Sequence, residues 1–491
     1  MSKKIINDLQ KNNIKLRRNL KQRHITMIAI GGSIGTGLFV ASGAILTQAG
    51  PYGTLFSYSI VGLMVYFLMT SLGELAAYMP VSGSFATYGS KYVDEGFGFA
   101  LSWNYWYNWA VTIAVDLVSA QLIMSFWFPK SPCWVWSIIF LTIIFLINFL
   151  SVKYFGEIEY WFSLIKITTI IIFIIVGFTI ILNIIINQEF NKLQINNVQF
   201  TNGFFSIINV LMIVSFSFQG TELIGITAGE SENPSKNIPN AIKKVFWRIL
   251  LFYILTILII SLIIPYNDLN LLNNNIKNIS ISPFTLVFKN SGLLYAASII
   301  NIIILIAILS AGNSGMYASS RILYALSIDK KAHKIFSNLS KNGIPLNSLL
   351  ATTFIASICF LSSMFNNKTI YIWLLNTSGM TGFIAWLGIA ISHYRFRKGY
   401  IFHGKNINDL PYHSKFFPIG PIFAFILCFI IIFSQSYQIF LENKINWLKL
   451  ITNYISIFIF LIIWIGYKII KKSYFVKYKN MNFINSQTKN H

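Results

Sequence analysis

Gly31-Gly32-Ser33-Ile34-Gly35-Thr36-Gly37 puts four glycines into seven residues at the centre of an apolar stretch that runs from about residue 24 to 47. A second polar interruption, Phe216-Ser217-Phe218-Gln219-Gly220-Thr221-Glu222, falls five apolar stretches later and at comparable depth. Either run alone is explained equally well by close helix packing through small residues. Two such runs in corresponding positions are the sequence pattern of a transporter whose binding site sits where two spans unwind.

The surrounding chain supports a membrane setting. Of its 491 residues 55% are hydrophobic and only 11% charged, with a mean hydropathy of +0.62; a soluble domain carries roughly 25% charged residues. Apolar runs of 18 or more residues recur over most of the length, each long enough to cross a hydrocarbon core of about 30 Å. Backbone groups at that depth must be satisfied internally, by helices or by a closed barrel. Barrel strands alternate at period two over roughly ten residues. The runs here are long and continuous, so the expected fold is an all-α polytopic membrane protein.

The runs divide into twelve spans at about 24–47, 52–78, 97–128, 133–151, 158–185, 204–227, 240–265, 283–325, 346–365, 370–394, 417–439 and 446–470. Loops between them are short, which predicts one transmembrane domain over 24–470, a tail of residues 1–23 and a tail of residues 471–491. The net charge of +23 invites a nucleic-acid reading. Most of the 38 lysines and arginines, however, sort to one side of the spans. The opposite side receives Lys130, Lys192, Lys277, Lys289, Lys368, Lys444 and Lys449, and Lys166 lies within a span. Under the positive-inside rule both termini are cytoplasmic and the charge needs no nucleic acid. Stretches rich in Ile, Asn and Lys (1–16, 182–198 and 266–280) raise the lysine count further. Residues 1–23 lack the apolar core and cleavage site of a signal peptide. Cys133, Cys359 and Cys428 show neither metal-ligand spacing nor a disulfide framework, and no cofactor motif is present. The glycine run is no nucleotide loop, since no strand precedes it.

An unwound helix exposes amide N–H groups at the start of one half and carbonyls at the end of the other. Such a pair can hold a zwitterion, with the carboxylate near Thr36 and Gly37 and the amino group near the carbonyls of Ser33, Phe216 and Gln219. In the third span Asn108, Thr112 and Asp116 are four residues apart and form one polar stripe, flanked by Tyr105 and Trp109. Asp116 and the two ring faces suit a cationic side chain. Interhelical hydrogen bonding by Asn108 and Thr112, with interfacial placement of the aromatics, is the competing explanation. Lys166 lies too deep to snorkel from a span starting near Ile158. It is either a fixed ammonium in a cation position or half of an ion pair with Asp116 or Glu222. Glu222, beside the second break, is a candidate carrier of a coupling proton. Glu74 reads as structural, and Glu230, at the membrane edge, as an anchor or gate.

Gly31 to Gly37, the stretch from Ala49-Gly50-Pro51 through Gly73-Glu74 to Pro80, and Gly229-Glu230-Ser231-Glu232-Asn233-Pro234 through Pro239 resemble the amino-acid permease family of the amino acid–polyamine–organocation superfamily. The likeness extends over residues 15–475. Trp103 to Trp109, Phe216 to Glu222 and Asn376-Thr377-Ser378-Gly379-Met380-Thr381-Gly382 are similar to the bacterial lysine-specific members of that family. The resemblance implies a five-plus-five inverted repeat with broken first and sixth helices and two further C-terminal helices. It also implies import of L-lysine by proton symport across the cell inner membrane, with Lys166 standing in a sodium position and Glu222 in the central gate. Tyr105, Trp109, Lys166 and Phe216 match positions of substrate handling or gating. Some such permeases also act as co-sensors with a membrane regulator. The alternatives are exchange, another amino acid as cargo, and a lysine-binding sensor; the short tails carry no signalling domain, and no catalytic constellation points to an enzyme.

Overall fold

The computed structural model describes residues 20–32, 34–189, 203–268, 282–290, 296–360, 367–435 and 447–483. Residues 1–19 and 484–491 of the expected tails, together with Lys192, Lys277 and Lys444, lie outside the described residues. All regular elements among the described residues are helical apart from one isolated bridge between Leu20 and Ser231.

Helix α1 (Gln22–Gly31) ends at the glycine run, and the chain resumes helical form as a π-turn, Gly37–Ala41, leading into α2 (Ser42–Tyr78). Gly50, at φ 70° and ψ 176° and followed by Pro51, kinks α2, so the first and second apolar stretches meet there in one bent helix. A short α3 (Ser84–Tyr92) follows, then α4 (Glu95–Met124), whose start is capped by the Asp94 carboxylate accepting the Gly96 amide at 3.2 Å. Next come α5 (Cys133–Leu150) and α6 (Val152–Ile186), capped by the Ser151 hydroxyl. Helix α6 begins six residues before the expected Ile158, because Ser151 supplies the cap that hydropathy does not register.

The second break separates α7 (Phe204–Ser217) from α8 (Leu223–Thr227), with Gly220 at φ 95° between them, a conformation that favours glycine. Helix α9 (Pro234–Arg248) opens on the helix-compatible Pro234 and continues through a π-turn (Ile249–Leu255) into α10 (Thr256–Ile263). The remaining helices are α11 (Pro283–Asn290), α12 (Ala296–Ile328), α13 (Leu346–Ala356), α14 (Asn367–Phe402), α15 (Ile419–Ser434) and α16 (Trp447–Lys471). Against the expected spans, α9 starts six residues before 240, the stretch 283–325 contains two described helices, and α14 runs eight residues past 394, where Arg395 and Arg397 anchor it.

Seven helical segments among the described residues are long and apolar enough to cross a membrane, and four shorter apolar helices accompany them. Burial orders them. The most apolar window of α4 is 94% buried, against 22% for α6 and 17% for α16. Helix α4 therefore forms the axis, touching α12, α14, α3, α5 and α16. Helices α6 and α16 present rows of exposed apolar residues such as Ile171, Ile172, Ile175, Ile462 and Ile469, a surface suited to lipid. The N-terminal segment and the C-terminal segment reach the same end of the bundle. There the Leu20 amide donates to the Glu230 carbonyl at 3.3 Å, and the Val476 amide donates to the Val93 carbonyl at 2.9 Å.

Candidate functional site

The two breaks face each other beside the α4 axis. Between them lies a small cavity of about 20 Å³, bounded by Gly32, Gly35, Thr36, Gly37, Trp109, Thr112, Asp116, Phe216, Gln219 and Ala311. Gly35, Thr36 and Gly37 open the second half of the first broken helix, where the first-turn amides have no intrahelical acceptor. At the other break the Phe216 carbonyl, at the end of α7, accepts the Gln219 amide at 3.2 Å and is also approached by the Phe218 amide.

Asp116 is the charged member of the lining. Its Oδ1 accepts from the Thr36 hydroxyl at 3.3 Å, and its Oδ2 accepts no hydrogen bond among the described residues. Trp109 lies along the same wall, its ring edge-on to Tyr105 at 6.1 Å between centroids. This combination of an under-satisfied buried carboxylate and an aromatic wall offers a place for a cation.

One turn away, the polar stripe of α4 engages both the second break and α14. Gln219 Nε2 donates to Asn108 Oδ1 at 3.0 Å and to Thr112 Oγ1 at 3.2 Å. Thr381 Oγ1 donates to Asn108 Oδ1 at 2.9 Å, and the Thr112 and Ser378 hydroxyls lie 2.6 Å apart. Asn108 is thus held behind the cavity wall and does not line it, whereas Thr112 and Gln219 do both. Ser378 and Thr381 carried no assigned role in the sequence, although Thr377, Ser378 and Thr381 have the helical spacing that singled out the stripe on α4.

Glu222 is a separate node. Its carboxylate accepts from the Tyr105 hydroxyl at 2.9 Å, the Trp386 indole at 3.2 Å and the Gly220 amide at 3.2 Å. Tyr105 accordingly faces Glu222 and stands outside the cavity lining. Trp386 belongs to this node and had no sequence signal beyond being an aromatic in an apolar span.

Lys166 is fully buried and lies behind the first break. Its ammonium donates to the Gly31 carbonyl at 2.5 Å, the last turn of α1, and to Ser310 Oγ at 2.8 Å. The carboxylate paired with it is Glu159, at 3.8 Å, neither Asp116 nor Glu222. The ammonium is held by Gly31 and Ser310 on the Glu159 side, while Asp116 Oδ1 accepts from Thr36 and Glu222 from Tyr105 and Trp386, so neither forms the ion pair with it. Glu230 is buried and paired with Arg321 at 3.1 Å, and the Arg321 guanidinium stacks over the Tyr317 ring at 4.1 Å. Glu74 is enclosed by Arg397, His393 and the Ser414 amide, far along α2 from either break. Ser33 lies outside the described residues.

These features match a known family. Residues 24–480 fit the family model for amino acid permeases. The lysine-specific permease LysP of Escherichia coli (strain K12) is 67% identical over 471 residues, covering 95% of this chain and 96% of its own length. LysP of Lactococcus lactis subsp. cremoris (strain MG1363) is 50% identical over 95% of this chain and 93% of its own. The histidine permease HisP of that strain is also 50% identical, over 93% and 96%. Among solved structures, the manganese transporter of Eremococcus coleocola superposes with a TM-score of 0.53 at 14% identity, covering 91% of this chain and 94% of that one, a likeness of fold. A helical membrane bundle with two facing breaks, matched by these sequences over nearly its full length, belongs to the amino acid permease family.

Proposed function

We propose that this chain imports L-lysine across the cytoplasmic membrane, by proton symport and alternating access. The observation that carries the cargo is the 67% identity to a lysine-specific permease over 95% of the chain. The arrangement of the cavity walls supports this reading. The first-turn amides at Gly35, Thr36 and Gly37 would hold the α-carboxylate, helped by the positive end of the helix dipole. The Phe216 carbonyl and the Gln219 side chain would take the α-amino group. Asp116 Oδ2 and the Trp109 face would take the side-chain ammonium, a contact made by lysine and missing for a neutral amino acid.

The breaks also explain how such a site moves. Each half-helix ends at the cavity, so one half can tilt while the other stays packed on α4. The contacts between Leu20 and Glu230, and between Glu230 and Arg321, tie α1 and α8 to α12 at one end. They would close the cytoplasmic exit and part when it opens. Glu222 and Lys166, buried beside the breaks, would couple this movement to a proton. We place twelve spans over 24–470, with both termini cytoplasmic.

A second reading concerns the cargo. The histidine permease of Lactococcus lactis matches this chain at the same 50% identity as the lysine permease of that organism. Labelled uptake into proteoliposomes, with and without an inward proton gradient and against a panel of lysine, arginine, histidine and leucine, tests both. Lysine should compete best and accumulate only with the gradient. Stronger competition by histidine overturns the cargo. Uptake that ignores the gradient yet requires internal amino acid overturns symport in favour of exchange.

A further inference from the structure

Glu159 is enclosed as completely as any residue in the protein, and the transport mechanism above does not use it. It lies on α6 seven residues before Lys166, which puts the two on one face two turns apart. The Ser310 hydroxyl on α12 joins them. It accepts from the Lys166 ammonium at 2.8 Å and donates to Glu159 Oε1 at 2.5 Å. The other carboxylate oxygen accepts from Asn313 Nδ2 at 3.2 Å, whose Oδ1 in turn accepts from Asn148 Nδ2 at 2.8 Å. Three helices, α5, α6 and α12, thus converge on one carboxylate.

We propose that Ser310 and Glu159 form a proton relay that discharges Lys166 toward the cytoplasmic end of the bundle. The step balances within the three groups. An N–H bond of the Lys166 ammonium breaks and its proton joins Ser310 Oγ, while the Ser310 proton passes to Glu159 Oε1. The ammonium becomes an amine, the carboxylate becomes a carboxylic acid, and the serine is restored. The direct ammonium–carboxylate separation of 3.8 Å is too long for a hydrogen bond, so the hydroxyl is the path. The functional consequence runs through Gly31. A neutral Lys166 donates more weakly to the Gly31 carbonyl, loosening α1 from α6 at the first break. Buried carboxylates at membrane depth mark ion pathways, proton relays or ion pairs.

Other charged groups near this set are few among the described residues. Asp116 on α4 lies within electrostatic reach of Lys166. Toward the cytoplasmic end, Arg23 and His24 on α1 pair with Glu157 on α6. Arg321 on α12 pairs with Glu230. Helices α5 and α10 contribute no Asp, Glu, Lys, Arg or His, and the π-turn before α10 contributes only Tyr253 as a titratable group.

This inference rests on the proton-coupled reading. It is tested with the full-length protein in proteoliposomes, by following lysine uptake and proton flux across external pH and by measuring lysine–lysine counterflow, which needs no net proton movement. Glu159→Gln keeps one acceptor, places an amide donor at the other carboxylate position beside Ser310 or Asn313, and cannot be protonated to an acid. It should lower gradient-driven accumulation roughly 100-fold, the lower range for loss of a positioned proton-transfer group, and flatten the pH profile while counterflow persists. Ser310→Ala should do the same, and Ser310→Thr, which keeps the hydroxyl, should restore transport. Equal loss of accumulation and counterflow in Glu159→Gln and Ser310→Ala marks a structural role and overturns the relay. So does wild-type accumulation with an unchanged pH profile in either variant. A wild-type protein that ignores the gradient overturns the proton-coupled reading itself, a result separable from failure of the variants alone.

Discussion

Replacing Gly37 with alanine should cut transport by roughly 100-fold, the cost expected of displacing a working group by about 1 Å. A Cβ built on Gly37 comes 2.3 Å from the Cα of Ser217, 2.8 Å from its nitrogen and 2.8 Å from its Oγ. Carbon atoms prefer a separation of roughly 3.5–4.0 Å, so the first break must retreat from the second by more than about 1 Å. The obstacle is backbone and no rotamer change relieves it. The retreat would carry the Gly35–Gly37 amides away from Phe216 and Gln219 on the opposite wall. Overpacking of this kind also costs about 1–3 kcal/mol of stability.

Gly31 provides the contrast. Its added Cβ would meet Ser163 Oγ at 2.0 Å, Cβ at 2.4 Å and Cα at 2.9 Å. Most of that clash is side chain. Gly31→Ala should therefore be partly rescued by Ser163→Gly, whereas Gly37→Ala should not be rescued by Ser217→Gly, because the Ser217 Cα remains. Labelled lysine uptake by the four variants, each checked for a folded population by size-exclusion chromatography and thermal unfolding, reads both effects. Wild-type uptake by Gly37→Ala, or its full rescue by Ser217→Gly, refutes the claim that direct backbone contact between the breaks sets the site.

Three other outcomes follow from the same geometry. Asp116→Asn keeps an acceptor for the Thr36 hydroxyl but removes the charge; it should raise the KM for lysine about ten- to hundred-fold, the value of a hydrogen bond to a charged group, and leave a neutral competitor little changed. Equal losses would mark Asp116 as structural. Glu222→Gln puts an amide donor against either the Trp386 indole or the Tyr105 hydroxyl and removes the carboxylate; it should abolish gradient-driven accumulation while counterflow persists, and unchanged accumulation would remove Glu222 from coupling. Glu230→Gln leaves the buried Arg321 guanidinium uncompensated and should destabilise the protein by about 3–5 kcal/mol, seen as a lower Tm that Glu230→Gln with Arg321→Gln partly restores.

The parts of the site legible in the sequence share one property: each interrupts a pattern. The glycine run breaks an apolar span, Gln219 and Glu222 break another, and Asn108, Thr112 and Asp116 stand out as a polar stripe at helical spacing. Thr36, Gly37, Trp109, Thr112, Asp116, Phe216 and Gln219, chosen on those grounds or by likeness to a family, line one cavity. Tyr105 and Asn108 belong to the same neighbourhood but point elsewhere, because a residue's spacing along α4 fixes its face only to within a turn. Which neighbour it then meets depends on α14 and the second break, distant in sequence.

Glu159 shows the harder case. A span taken to start near Ile158 leaves Glu159 at the membrane surface, where a glutamate calls for no explanation. The helix starts instead at Val152, capped by Ser151, which carries Glu159 two turns inside and beneath Ser310 of a helix about 150 residues away. Hydropathy averages over a window and cannot weigh one capping serine against a first turn and a half that carries Lys153 and Glu157. That small shift reverses the meaning of the carboxylate. At the surface Glu159 would be a solvated charge; where it lies, a buried negative group requires a partner, and the partner it has is the lysine beside the first break.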